Sequence, residues 1–446
     1  MISCHRSCIF VYSEVKMVIH TVRKGDSIYS IAREYGVPPS RIITDNMLEN
    51  PSKLAVGQSL VILFPTQTHT VRGGDTLQSI ARMHGLTLNE LYRNNPILGG
   101  VPTIYPGQVL NISYPEPSLG EFSTNGYAYG NIDRATLRRT LPYLTYLSVF
   151  STGIRPDGSL IPPAGEEELI SLAYEYDATP LLVLTSLSEN GTFSTEIVRQ
   201  VLSSESMSNA VIQNTVNAVN EKRYGGVDVD FEYIPAELAQ AYSDFIRRMN
   251  EAVGDERVVF VSLAPKYSAN QPGLLYEGHN YKALGEAADQ VMLMTYEWGY
   301  TYGPPMPVAP LNEVSRVVNY AVSEIPRDKI FLGLPNYGYD WALPFVKGVS
   351  KAQSLSNIAA VNRAIMRGAD IQYDETAQSP YYRYYDRPQT YSDAVEHIVW
   401  FEDARSADAK LRLAANESLD GGGVWNIMNF FPSLWLVMNQ LFNIRK

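Results

Sequence analysis

The chain has 446 residues, of which 45% are hydrophobic and 19% charged, enough for a large core and for more than one domain. Its formal net charge of −11 argues against nucleic acid and against an anionic membrane surface as partners. No run approaches the roughly eighteen apolar residues of a spanning helix, so membrane insertion is not expected.

Residues 1–17 read as a leader or as a misassigned start, with Met17 as the alternative first residue. The apolar stretch Ile9-Phe10-Val11-Tyr12 is too short for a signal-peptide core, and no small-residue cleavage site follows it. Both cysteines, Cys4 and Cys8, lie here; their spacing reads as incidental rather than metal-binding. Neither a metal nor a cofactor is expected.

An internal repeat follows. The segment from His20 to Arg33 recurs from His69 to Arg82, a period of 49. Each copy reads as a strand, a Gly-Asp helix cap and a helix with Ile28, Ile31, Ala32 and Tyr35, or Leu77, Ile80, Ala81 and His84, on one face. Gly36 and Gly85 stop those helices. A second helix is expected after each, capped by Ser40 in the first copy and by the Thr87–Glu90 box in the second. A Gly-Gln turn and a strand close each unit, giving strand-helix-helix-strand modules over 18–64 and 67–113. Both copies resemble the LysM module in the Gly-Asp, the Ile-Ala helix, Asn46 and Asn95, and the Gly-Gln turn. The resemblance implies binding of N-acetylglucosamine-containing glycans, peptidoglycan or chitin. It places Gly25, Asp26, Ser27, Gly74, Asp75 and Thr76 near the glycan groove, with Asp26 and Asp75 read as helix caps rather than sugar contacts.

Residues 114–120, rich in proline, read as a short stiff linker. Beyond it, short apolar runs near 122–129, 144–150, 180–187, 226–232, 258–264, 290–296, 330–336 and 422–428 alternate with helical patterns at 204–223, 236–253, 311–324, 403–418 and 433–444. Eight strands in such alternation predict an α/β fold, a (β/α)8 TIM barrel spanning 121–446. A barrel of this kind needs about 250 residues. The excess falls between strands seven and eight and predicts a small α+β insertion over about 340–400. Its Tyr381-Tyr382-Arg383-Tyr384-Tyr385 run reads as packing of that subdomain, or as a sugar-stacking wall.

The fourth strand carries Asp228, Asp230 and Glu232 at alternate positions, so all three acids share one face while Val227, Val229 and Phe231 take the other. Like charges about 6–7 Å apart push a proton back on, which keeps a carboxyl group available as a general acid. Acidic alternation also describes a strand with one face in water. The flanks favour chemistry: Arg223-Tyr224-Gly225-Gly226 reads as a helix stop, and an amphipathic helix follows Pro235, so the acids end a strand within a helix-strand-helix unit.

The barrel region resembles glycoside hydrolase family 18. Asp228, Asp230 and Glu232 match the end of its acidic signature, with Gly225 where the first Asp stands. Met294-Thr295-Tyr296-Glu297 matches its M-x-Y-D signature with Glu for Asp, and Trp425 matches its strand-eight tryptophan. The resemblance implies retention through the substrate's own 2-acetamido oxygen. By it, Glu232 protonates the leaving oxygen, Asp230 holds the acetamido N–H, Asp228 shares a proton with Asp230, and Tyr296 bonds the acetamido group. Trp425 forms the floor under the reacting ring; Tyr233 and Met294 line the subsite, and Glu297 alters the acetamido pocket. LysM copies ahead of such a barrel, with Tyr337-Gly338-Tyr339-Asp340-Trp341 and Val399-Trp400-Phe401-Glu402, resemble the spore-germination branch of the family. This implies a cortex-lytic N-acetylglucosaminidase in the spore coat, cortex or cell wall. The alternatives are a chitinase or chito-oligosaccharide hydrolase, and a non-catalytic wall-binding coat protein. Removing residues 1–114 is expected to weaken retention on insoluble wall while sparing turnover of a short soluble substrate.

Overall fold

The computed structural model describes residues 16–115, 118–187, 192–386 and 394–446. The leader features Cys4, Cys8 and Ile9–Tyr12, and Glu116 and Pro117 of the linker, lie outside the described residues. Eight parallel strands form a closed ring: β1 Glu121–Tyr129, β2 Tyr146–Ile154, β3 Thr179–Thr185, β4 Gly226–Asp230, β5 Val258–Leu263, β6 Gln290–Leu293, β7 Ile330–Pro335 and β8 Gly421–Trp425. Each pairs with the next, and β8 closes on β1 with Gly421 beside Ser123. The ring is filled rather than open. Tyr146, Phe260 and Phe331 pack edge to face inside it, with centroids 5.0–6.2 Å apart. The outward residues of β4, Val227 and Val229, are fully buried under the surrounding helices, as strands covered on both faces require.

Between β7 and β8 lies the expected insertion. Five antiparallel strands, Gly338–Ala342, Gln353–Leu355, Gln372–Asp374, Ser379–Asp386 and Val395–Trp400, pack against the helix Asn357–Arg367. Its tyrosines mostly pack: Tyr382 and Tyr384 are buried, and Tyr381 stacks on Trp400 at 4.5 Å.

The two N-terminal units are strand-helix-helix-strand, with Met17–Thr21 antiparallel to Ser59–Leu63 and Gln67–Thr70 to Val109–Ser113. Strand pairing already begins at Met17, at the edge of the proposed leader. Three capping expectations change. The first helix of each unit is capped by Ser27 or Thr76, in reciprocal boxes with Ser30 and Ser79. Asp26 and Asp75 sit one residue earlier and instead close the preceding turn, each accepting from a backbone N–H three residues back and from His20 or His69. Ser40 lies inside the helix Pro39–Asp45, which starts behind Pro38 without a side-chain cap, because proline at the first turn donates no N–H that needs one. Gly36 and Gly85 are left-handed, and Thr87 forms its box with Glu90. Asn46 and Asn95 each stitch their helix to the closing strand through paired bonds to residue 61 or 111.

These units do not hang on a spacer. The turn of the first is seated on the insertion, with Ile371 N–H donating to Val56 O at 2.8 Å and Arg405 to Gly57 O at 3.1 Å. The second docks on the barrel wall. Asn89 donates to Tyr176 O, Arg93 to Pro142 O and Tyr143 to Arg93 O, while Leu91, Tyr92 and Leu98 share one apolar cluster with Leu137, Leu141 and Tyr143.

Candidate active site

The helix Glu205–Lys222 before β4 ends on Arg223, which takes the left-handed conformation at φ +60. The helix stops at the expected segment, but through Arg223 rather than through a glycine. Gly226 opens β4 instead, where a Cβ would come within 2.2 Å of Val258 O. Strand β4 then runs inward at Asp228 and reaches the carboxyl end of the barrel at Asp230, with Glu232 just beyond. Loops at the carboxyl ends of parallel strands are where barrel enzymes hold their reacting groups.

Asp228 is wholly buried within the ring. It accepts from Ser148 at 3.0 Å and Ser262 at 3.4 Å, and Ser148 is itself bonded by Asn125. Burial raises its pKa to about 6, with the hydroxyls of Tyr127, Ser148 and Ser262 pulling the other way. Asp230 is 6% exposed, and its Oδ1 has no hydrogen-bond partner in the protein. Burial, then the charges of Glu232 and Asp228, raise it well above the usual carboxylate range. Glu232 is pushed up to about 7, by burial first and by the Glu297 carboxylate second.

Two cavities meet at Glu232. The inner one, about 450 Å³, is lined by Asp230, Glu232, Tyr296, Met294, Glu297 and Trp425, with Tyr127, Tyr129, Phe150 and Phe193 around them. The outer one, about 550 Å³, is lined by Tyr233, Tyr276, Trp298, Tyr300 and Leu275. Phe193, Glu232, Met294, Tyr296 and Glu297 border both. Trp425 is held edge-on by Phe150 at 4.9 Å and Tyr127 at 5.6 Å, so its orientation is set by packing. Tyr233 is left-handed at φ +55 and 40% exposed beside the outer cavity. Seven sequence candidates thus line this groove, and Asp228 lies beneath it. The six LysM candidates belong to the N-terminal units, apart from it. Among the described residues no three His, Cys, Asp or Glu side chains are arranged to hold a metal ion.

Some groups at the site were not assigned a role there from the sequence. Tyr337 and Tyr339, which follow β7 and lie in a motif noted only for its resemblance, both donate to Glu297, the latter at 3.0 Å. Phe193 and Tyr276 come from loops with no recognisable pattern. Tyr129, which ends β1, was findable by its position at a strand carboxyl end, whereas Phe150 lies in the middle of β2.

Residues 183–429 match Glycosyl hydrolases family 18, and residues 20–63 and 69–113 match the LysM domain. The chain belongs to glycosyl hydrolase family 18. This family 18 hydrolase is 38% identical over 443 residues to the cortical fragment-lytic enzyme of Bacillus subtilis, and 36% identical over 438 residues to that of Bacillus anthracis; each match covers 96% of this chain and 99% of the relative. Its fold matches the crystal structure of the Bacillus cereus spore cortex-lytic enzyme SleL with a TM-score of 0.81 at 34% identity, covering 97% and 99% of the two chains. With its LysM domains, the family 18 hydrolase binds carbohydrate polymers such as peptidoglycan. No helix among the described residues is long and apolar enough to cross a membrane.

A pH dependence follows from Glu232. Under the general-acid role proposed below, Glu232 works only while protonated, so kcat/KM is expected to be retained below about pH 7 and to fall as pH rises through it. Initial rates on an aryl N-acetylglucosaminide across that range check this; a profile flat through pH 7 contradicts it.

Proposed function

We propose that the chain hydrolyses spore-cortex peptidoglycan after N-acetylglucosamine, with retention, and acts during germination at the spore coat, cortex or cell wall. The observation that carries this reading is the position of Glu232 at the junction of two cavities. A general acid must stand between the sugar that reacts and the sugar that leaves. The full-length likeness to cortical fragment-lytic enzymes supplies the substrate class.

In this mechanism the reacting N-acetylglucosamine sits over Trp425 in the inner cavity. Its acetamido N–H meets the Asp230 carboxyl group, which lines that cavity, and Tyr296 steadies the acetamido oxygen. That oxygen attacks C1 while Glu232 gives its proton to the glycosidic oxygen, the C1–O bond breaks, and the leaving sugar departs through the outer cavity. Asp230 and Asp228 share negative charge beneath the resulting oxazolinium ring. Glu232, now a carboxylate, takes a proton from water, which adds to C1 and opens the ring. Two inversions at C1 give net retention. Tyr233 and Met294 line the two sides of the cleavage point, and the LysM segments around Gly25, Asp26, Ser27, Gly74, Asp75 and Thr76 hold the glycan strand.

Mass spectrometry of fragments released from purified cortex tests the reading. Products with a new reducing-end N-acetylglucosamine are expected. Release of new reducing-end muramic residues, or hydrolysis of chitin fragments with none of cortex, overturns it.

A further inference from the structure

Glu297 departs from the signature that the rest of its segment matches, and the structure shows what the longer side chain does. Its backbone is left-handed at φ +67, and its carboxylate is held by the hydroxyls of Tyr337 and Tyr339. Burial raises the Glu297 pKa, and the two phenols pull it back toward the ionised form; Glu232, on the same cavities and with no such donors among the described residues, is raised by burial and further by the Glu297 carboxylate, so of the two Glu297 is the one that ionises first. Glu297 therefore carries a fixed negative charge at the point where the inner and outer cavities join.

Nothing basic balances that charge. Among the described residues no Lys or Arg lines either cavity. Lys266, next to Pro265 of the outer cavity, donates instead to the backbone oxygens of Ala269 and His279. Arg316 lies over the Tyr267 ring and Lys351 over that of Tyr302. The outer wall is otherwise aromatic and apolar, with Tyr233, Tyr276, Trp298, Tyr300 and Leu275. Such a surface stacks on a sugar face and penalises an unpaired anion brought out of water.

Resting on the hydrolase reading above, we infer that Glu297, fixed by Tyr337 and Tyr339, is a specificity-determining residue that selects an uncharged leaving sugar over one bearing a free carboxylate. Muramic residues carry a lactyl carboxyl group, so the sugar accepted is one whose lactyl group is tied up as an amide. Discrimination arises from repulsion of the wrong substrate rather than from added contacts to the right one.

The test compares two disaccharides that differ only in charge: N-acetylglucosaminyl-muramic acid with its lactyl carboxyl free, and the same compound as the methylamide. In the full-length enzyme the methylamide is expected to have at least about tenfold higher kcat/KM, mostly through KM. In Glu297→Gln the ratio is expected to drop to about twofold, chiefly because the free acid improves. In the wild-type enzyme the same ratio is expected to shrink as salt is raised, since part of the repulsion acts across solvent. A ratio unchanged by Glu297→Gln overturns the inference; should that variant fail to fold, a wild-type ratio near unity, or one insensitive to salt, overturns it. Failure of the wild-type enzyme to cleave either disaccharide or an aryl N-acetylglucosaminide would instead remove the hydrolase reading itself.

Discussion

Glu232→Gln is expected to lower kcat by at least about 10²- to 10⁴-fold while leaving glycan binding in place. The amide keeps the shape of the side chain at the cavity junction but has no proton to give and, in the second half of the reaction, no basic oxygen to take one from water. Loss in both half-reactions is why that range is a lower bound. Binding persists because the other groups lining the groove, Trp425 and Tyr296 among them, are untouched. Single-turnover kinetics together with binding of a chito-oligosaccharide measure the two quantities separately. A variant that turns over at near wild-type rate removes Glu232 from the acid role. One that loses binding and rate in parallel shows that the side chain is structural.

The second large effect concerns the N-terminal units. Tight seating of these units changes what their removal should do. Deleting residues 1–114 strips the barrel of Leu91, Tyr92 and Leu98, and leaves the Tyr143 hydroxyl and the carbonyl of Pro142 without their partners. Exposing that much apolar surface to water costs several kcal/mol, at about 1.5–3 kcal/mol for each large apolar side chain uncovered. The truncated chain is therefore expected to unfold on the order of 10 °C lower and to lose turnover even on a short soluble substrate. A point variant separates docking from glycan binding. Gly100 sits at φ +73, where a Cβ would stand 2.0 Å from Arg138 O, so Gly100→Ala is expected to loosen the second unit at a cost of about 1–3 kcal/mol. Calorimetry on both forms checks this. A truncated barrel with unchanged melting temperature and full activity on the soluble substrate shows instead that the units act only as tethers.

The acids were legible because Asp228 and Asp230 alternate in β4 and Glu232 follows at the same spacing just past its end, where the sequence is most strongly patterned. Met294, Tyr296 and Trp425 were legible only through resemblance, since Tyr or Trp at a strand end has no pattern that distinguishes a sugar platform from core. The capping errors at Asp26, Asp75 and Ser40 have a common origin. Asp and Ser both bond nearby backbone N–H groups, and a sequence does not say whether such a bond caps a helix or closes the turn before it. The helix stop read at Arg223-Tyr224-Gly225-Gly226 falls where expected, but Arg223 and not a glycine supplies the left-handed residue; Gly226 answers instead to the neighbouring Val258 carbonyl.

Local periodicity alone determined the eight strands, the helices between them, the duplicated N-terminal unit and the shared face of Asp228, Asp230 and Glu232, because strand alternation and helix spacing are properties of neighbours in the chain. Only the tertiary structure decided that Glu232 stands between two cavities, that Glu297 is clasped by Tyr337 and Tyr339 from beyond β7, and that the N-terminal units are part of the barrel's packing. Those relations join segments tens to hundreds of residues apart, and closing the ring of strands is the step that brings them together.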